Sequence, residues 1–189
     1  MSTASPIAPP TPPITAEEFA ARPDPGYPEE LVKGRIVAMT QPGIRHGLTC
    51  CQASFLLRLF LQGHDLGRVL TNDSGVITGR NPDTVRGADV AFYSYNRLPR
   101  GDRPTGLTAA VPELVVEVLS PSDRWTNVVA KIGDYLGAGV TAVLILDDDT
   151  QSAHVYRGDT PPTTLGPDDT LTFPDILPGF EAPVRSLFG

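Results

Sequence analysis

The spacing of apolar residues changes repeatedly along the chain, and each change predicts a different element. Thr15-Ala16-Glu17-Glu18 has the form of a capping box, so it predicts a short helix through Ala21, which Pro23 and Pro25 end. Glu30 to Met39 reads as a strand pair turning at Lys33-Gly34. From His46 to Gln62, Leu48, Cys51, Phe55, Leu56 and Leu59 recur at helical spacing, and Gly63 is a suitable stop. Strands are expected at 67–71, 74–78 and 88–93, separated by the turn-forming pairs Asn72-Asp73 and Asn81-Pro82. Residues 94–111 lack periodicity and read as a flexible connection.

The apolar run 113–119 predicts a buried strand, and 123–138 a helix with Trp125, Val128, Val129, Ile132 and Leu136 on one face, ending at Gly137-Ala138-Gly139. With a strand at 142–146 these make a strand-helix-strand unit, which calls for a parallel pair and a right-handed crossover. Residues 152–157 and 169–173 read as edge strands. The pattern is that of an α/β protein, with residues 1–14 a disordered Pro-rich tail and 15–189 a single domain.

Composition narrows the function. A formal charge of −7 on 189 residues argues against a general, charge-driven DNA binder, although arginines such as Arg86, Arg97, Arg100, Arg103 and Arg124 could line one cleft. No apolar run approaches the roughly 20 residues a membrane span needs, and the Pro-rich start is unlike a signal peptide, so a cytoplasmic protein is expected. Cys50 and Cys51 are adjacent, too close for an ordinary disulfide, and read as thiols in a reducing compartment.

Two acids stand out because they interrupt apolar runs: Asp89 in Ala88-Asp89-Val90-Ala91-Phe92 and Glu117 in Leu114-Val115-Val116-Glu117-Val118-Leu119. A carboxylate inside a buried strand is costly unless paired or bound to a metal. If adjacent strands bring them together, Asp89, Glu117 and the main-chain oxygen of Val118 form a donor set suited to Mg²⁺, with water and phosphate oxygens completing the shell. Lys131 is one of only two lysines, and it lies at the edge of its helix's apolar stripe. Its compact ammonium could orient a water or stabilise phosphate charge; the plainer alternative is a helix lysine reaching out to solvent.

The runs Glu30-Leu31-Val32-Lys33-Gly34-Arg35-Ile36-Val37, Arg86-Gly87-Ala88-Asp89-Val90 and Pro112 to Ser122, with His46, Lys131, Tyr135 and Gly139, resemble the Uma-two family of the PD-(D/E)XK nuclease superfamily. The resemblance implies a restriction-endonuclease-like three-layer core, with a mixed central β-sheet flanked by helices plus N-terminal strands. It also implies a metal-dependent endonuclease acting on DNA with Mg²⁺, for which Mn²⁺ substitutes. Asp89 and Glu117 match the family's ligand acids, and Lys131 a lysine transferred from the strand to the following helix. Glu30 matches a further acid, either a ligand or a support for the ligands. Two positions depart from the superfamily pattern: Ala88 replaces a proline, and Leu119 stands where the usual lysine would be. The rival readings are a noncatalytic binding or assembly module on the same fold, and a hydrolase of RNA or another phosphoester.

His46, before a long helix, is expected either to contact phosphate or to cap the helix, and Arg86 and Arg124 either to bind substrate or to be ordinary solvated surface. Asp147-Asp148-Asp149 reads as a turn, Tyr135 as packing that directs Lys131, Ser122 as a helix cap, and His64 and His154 as incidental. Cutting both strands of a duplex would be simplest for a two-fold homodimer.

Overall fold

The computed structural model describes residues 12–121, 123–158 and 160–189. Most of the expected tail and the Ser122 cap therefore lie outside the described residues. Helix α1 (Ala16–Ala20) starts on the Thr15 capping box, and β1 (Glu29–Val32) turns through Lys33-Gly34 into β2 (Arg35–Ala38). Both turn residues have positive φ, and Ile14 already joins the fold by donating its amide to Gly34.

The long helix is α2 (Ile44–Gln62), but the apolar spacing marked its outer face. Thr49, Ala53 and Leu57 are the residues it buries, whereas Leu48, Phe55 and Leu59 lie exposed beside Ile44, which is 85% exposed. The smaller Thr49 and Ala53 let the helix lie close to the sheet.

β3 (Gly67–Gly79) and β4 (Thr84–Ser94) form one long antiparallel pair. Asn72-Asp73, expected to be a turn between two strands, is instead a bulge within β3, where the register shifts between Thr71 and Ser74. Both residues have positive φ. The loop from 95 to 113 is tied down by Arg68, which donates to the carbonyls of Pro99, Arg100 and Asp102, and by Arg97, which donates to Val111, Pro112 and Gly139. Far from being a loose connection, it is fastened by two guanidinium groups.

β5 (Leu114–Val118), α3 (Trp125–Gly137) and β6 (Ala142–Asp147) form the expected unit, with β5 and β6 parallel. Val128, Ile132 and Tyr135 form the buried face of α3, while Trp125 and Val129 remain exposed. β7 (Ser152–Arg157) is not an edge, because β8 (Thr160–Leu165) covers it; β9 (Thr170–Phe173) pairs with β10 (Leu177–Pro183) in a separate ribbon. Two prolines in β8 masked it as a strand, and an outermost position is where prolines are tolerated.

The eight strands β1–β8 share one mixed sheet. One core layer packs α2 and the β9–β10 ribbon against Val90, Phe92, Val116 and Leu144; the other packs α3 against Ala91, Tyr93, Val115 and Ile145. The result is a mixed sheet with a helix on each face. Its critical irregularity is at β4. β3 occupies one edge of β4, so β1, paired at Val85, and β5, paired from Val90 to Phe92, must share the other edge end to end. Between them β4 lacks a backbone neighbour on that side, which leaves a notch at residues 86–89.

Candidate active site

The notch leaves backbone groups of β4 and β5 to be satisfied by side chains, and those side chains form the site. Gly87 N–H donates to Glu30 Oε1 at 3.1 Å, and its carbonyl accepts from Lys131 Nζ at 3.3 Å and Tyr135 Oη at 3.1 Å. The Val118 amide donates to Asp89 Oδ2 at 2.7 Å. Continuing the β4–β5 register one step past the Val90–Val116 pair places Asp89 opposite Glu117. Antiparallel pairing thus brings together two acids far apart in the chain.

Glu117 is buried. Its Oε2 accepts from Lys131 Nζ at 2.7 Å and its Oε1 from Tyr135 Oη at 2.7 Å. Burial pushes its carboxyl up to about 7 against the pull of Lys131. For Lys131, burial opposes the charged form, but Glu117 and Glu30 outweigh it and the pKa rises; the ammonium lies 3.2 Å from Glu30 Oε1. Lys131 is therefore a charged, internally held group and does not reach out to solvent. Tyr135, expected only to pack, is also a hydrogen-bond donor to the site.

Glu30 and Arg86 have structural positions. Arg86 is buried, with Nη1 2.7 Å from Glu30 Oε2 and with Nε and Nη2 2.8 and 2.6 Å from Asp134 Oδ2. Arg86, expected to bind substrate, directs its guanidinium at two carboxylates inside the protein. Glu30 is thereby held where it steadies both Gly87 and Lys131. Arg124, exposed at the start of α3, does line the acid cavity, whereas Arg97 holds a loop and Arg100 stacks on Tyr95 and pairs with Asp65.

His46, in the first turn of α2, brings Nε2 to 3.3 Å from Asp89 Oδ2. The hydrogen bond to Asp89 raises its pKa, favouring imidazolium at the cavity wall. Cys50, one turn on, has Sγ 3.5 Å from His46 Nδ1; burial and the nearby acids push its thiol up. Asp73 is the site residue that sequence reasoning missed. The β3 bulge turns it into the same cavity, where burial, then Asp89, raises its pKa. A side chain at Gly87 would crowd this bulge, since a Cβ there would lie 3.1 Å from that of Asp73.

Together Glu30, His46, Asp73, Asp89, Glu117, Val118, Arg124 and Lys131 line a cavity of about 450 Å³. Asp147-Asp148-Asp149 is outside it: Asp147 caps the turn, and Arg45 pairs with Asp148 and Asp149. His64 stacks on Phe60, and His154 bonds Ser152 and Thr164. Among the described residues no helix is long and apolar enough to cross a membrane.

A mixed sheet flanked by helices, with acids converging where it is notched, defines the restriction-endonuclease-like class of fold. The chain belongs to the Uma2 family, described as "Putative restriction endonuclease", which it matches over residues 16–185. The fold is also that of a crystal structure described as a putative nuclease belonging to DUF820 from Anabaena variabilis ATCC 29413. That protein is 22% identical, with a TM-score of 0.80 over 93% of this chain and 98% of the other. No curated protein matches the chain.

Proposed function

We propose that this protein is a divalent-metal-dependent endonuclease that hydrolyses DNA phosphodiester bonds, acting in the cytoplasm, where its two thiols stay reduced. The observation that carries this reading is the meeting of Asp89 and Glu117 across the sheet notch with Lys131 Nζ 2.7 Å from Glu117. Asp73 adds a third carboxylate to the cavity, and the upward shifts of Asp73 and Glu117 are relieved by a nearby cation. The residues fit a hard cation: Asp89, Glu117 and the Val118 carbonyl would hold Mg²⁺, or Mn²⁺ in its place. Such an ion supplies phosphate polarisation and a water of lowered pKa.

The chain's own groups supply the rest. Lys131, fixed by Glu117, Glu30 and the Gly87 carbonyl, has its ammonium where it can orient a nucleophilic water or meet charge developing on a phosphate oxygen. Arg124 contributes positive charge along a substrate path into a largely acidic cavity, and His46, whose pKa Asp89 raises, adds to it when protonated. Glu30 positions Lys131 and is not needed as a metal ligand. Cutting both strands would call for two such sites, supplied by a two-fold dimer.

One observation favours a noncatalytic binding module: both Glu117 oxygens already accept hydrogen bonds. The readings separate in a cleavage assay on supercoiled plasmid, single-stranded DNA and RNA with Mg²⁺ or Mn²⁺, beside EDTA and a folded Glu117→Gln variant. Metal-dependent DNA cutting that Glu117→Gln abolishes supports the proposal. Folded, metal-saturated protein that leaves DNA intact overturns it, and cleavage of RNA alone would redirect the substrate.

A further inference from the structure

The wall of the cavity formed by α2 has donors of a different chemical kind from its floor. His46 and Cys50 are four residues apart, so they share one face of the helix, and that face looks at Asp89. Cys50 Sγ is 3.5 Å from His46 Nδ1, and His46 Nε2 is 3.3 Å from Asp89 Oδ2. One ligand atom from each of the three residues falls within 4.8 Å of the others. Donors bound to one tetrahedral Zn²⁺ at about 2.0–2.3 Å lie roughly 3.3–3.8 Å apart; one ion takes only one imidazole nitrogen, so the three donors, all within 4.8 Å, need to draw in by up to about 1 Å to hold it.

We propose that His46, Cys50 and Asp89 form a binding site for a soft divalent cation of the Zn²⁺ class, which competes with a hard cation for Asp89. A thiolate, an imidazole and a carboxylate suit a borderline-soft ion, whereas Mg²⁺ takes oxygen ligands and gains nothing from sulfur. On binding, the Cys50 thiol, and His46 where it is protonated, each lose a proton to solvent as the sulfur–metal and nitrogen–metal bonds form, and the remaining coordination position is left to water. Zn²⁺ then withdraws Asp89 from the Mg²⁺ donor set, which makes the soft ion an inhibitor. The soft site itself stands on geometry; the competition with a hard cation and the inhibition rest on the nuclease reading.

Cobalt tests the site directly, since Co²⁺ bound to a thiolate gives a near-ultraviolet charge-transfer band that oxygen and nitrogen ligands do not. The metal-free protein of 189 residues titrated with Co²⁺ should develop the band at one equivalent and lose it on adding Zn²⁺. The neighbouring exposed thiol makes the control exact in kind: Cys51→Ser should keep the band, Cys50→Ser should lose it, and His46→Ala should weaken binding at least tenfold. Glu117→Gln should retain the band, because it spares all three ligands. A folded wild-type protein without the band, or a band that follows Cys51, overturns the proposal. The band with no DNA cleavage under any metal would leave the soft site standing and defeat the nuclease reading; Mg²⁺-dependent cleavage without the band does the reverse.

Discussion

Replacing Tyr135 by Phe tests whether the site's strained protonation balance has been read correctly. The phenol is fully buried and donates at 2.7 Å to Glu117 Oε1, with the Gly87 carbonyl its alternative acceptor at 3.1 Å. A hydrogen bond to a charged group contributes about 1.5–3 kcal/mol, and a neutral pair about 0.5–1.5. At about 1.36 kcal/mol per pKa unit, losing the charged bond should raise Glu117, already pushed up to about 7, by roughly one to two units. Because this carboxyl is raised above its ordinary 4.5, folding favours its protonated form. Its contribution to stability is complete below that ordinary value and is lost as pH rises through 7. In Tyr135→Phe the loss continues to higher pH. Urea unfolding in EDTA should therefore show a gap of about 1 kcal/mol between wild type and variant near pH 5.5, widening to about 2–3 near pH 9. A gap of constant size across that range would mean that the hydroxyl serves the Gly87 carbonyl and not the Glu117 carboxylate.

Three further outcomes follow from the same geometry. Lys131→Arg should retain near-wild-type thermal unfolding yet lose about a hundredfold or more in cleavage rate, because a planar guanidinium cannot occupy the point between Glu117, Glu30 and Gly87; near-normal cutting would remove Lys131 from the reaction. Arg86→Met should cost about 3 kcal/mol in urea unfolding, since it removes the partner of buried Glu30 Oε2 and leaves that carboxylate only Lys131 and the Gly87 amide, both on Oε1. Arg124→Ala should leave stability unchanged while weakening DNA binding and reducing the salt dependence of log K by about one, measured by fluorescence anisotropy of labelled duplex.

The strand-borne acids were legible because each interrupts an apolar run, and Lys131 because lysine is rare in this chain and this one sits at the edge of an apolar stripe. The strand-helix-strand unit was legible because β5 and β6 are buried on both faces and so read as continuous apolar runs. Asp73 was hidden because Asn72-Asp73 has turn chemistry; only the pairing of β3 with β4 reveals a bulge that places the acid, still exposed, at the cavity. The internal pairing of Arg86 was not legible because its two partners, Glu30 and Asp134, come from a different strand and a helix. On α2 the error was systematic: large apolar residues imply a buried face, but the sheet accepts the narrow face carrying Thr49 and Ala53.

The outward row of Ile44, Leu48, Phe55 and Leu59 also sets how the protein behaves as a colloid. Near neutral pH the charge of −7 opposes nonspecific association through this row, which then costs little beyond its contact with water. As the pH approaches the isoelectric point of about 4.8 that repulsion vanishes, and sticky helices meet without a barrier. Turbidity should begin there and be suppressed by Phe55→Lys, so the acid limb of any activity profile is to be measured dilute, where loss of rate reports protonation and not precipitation.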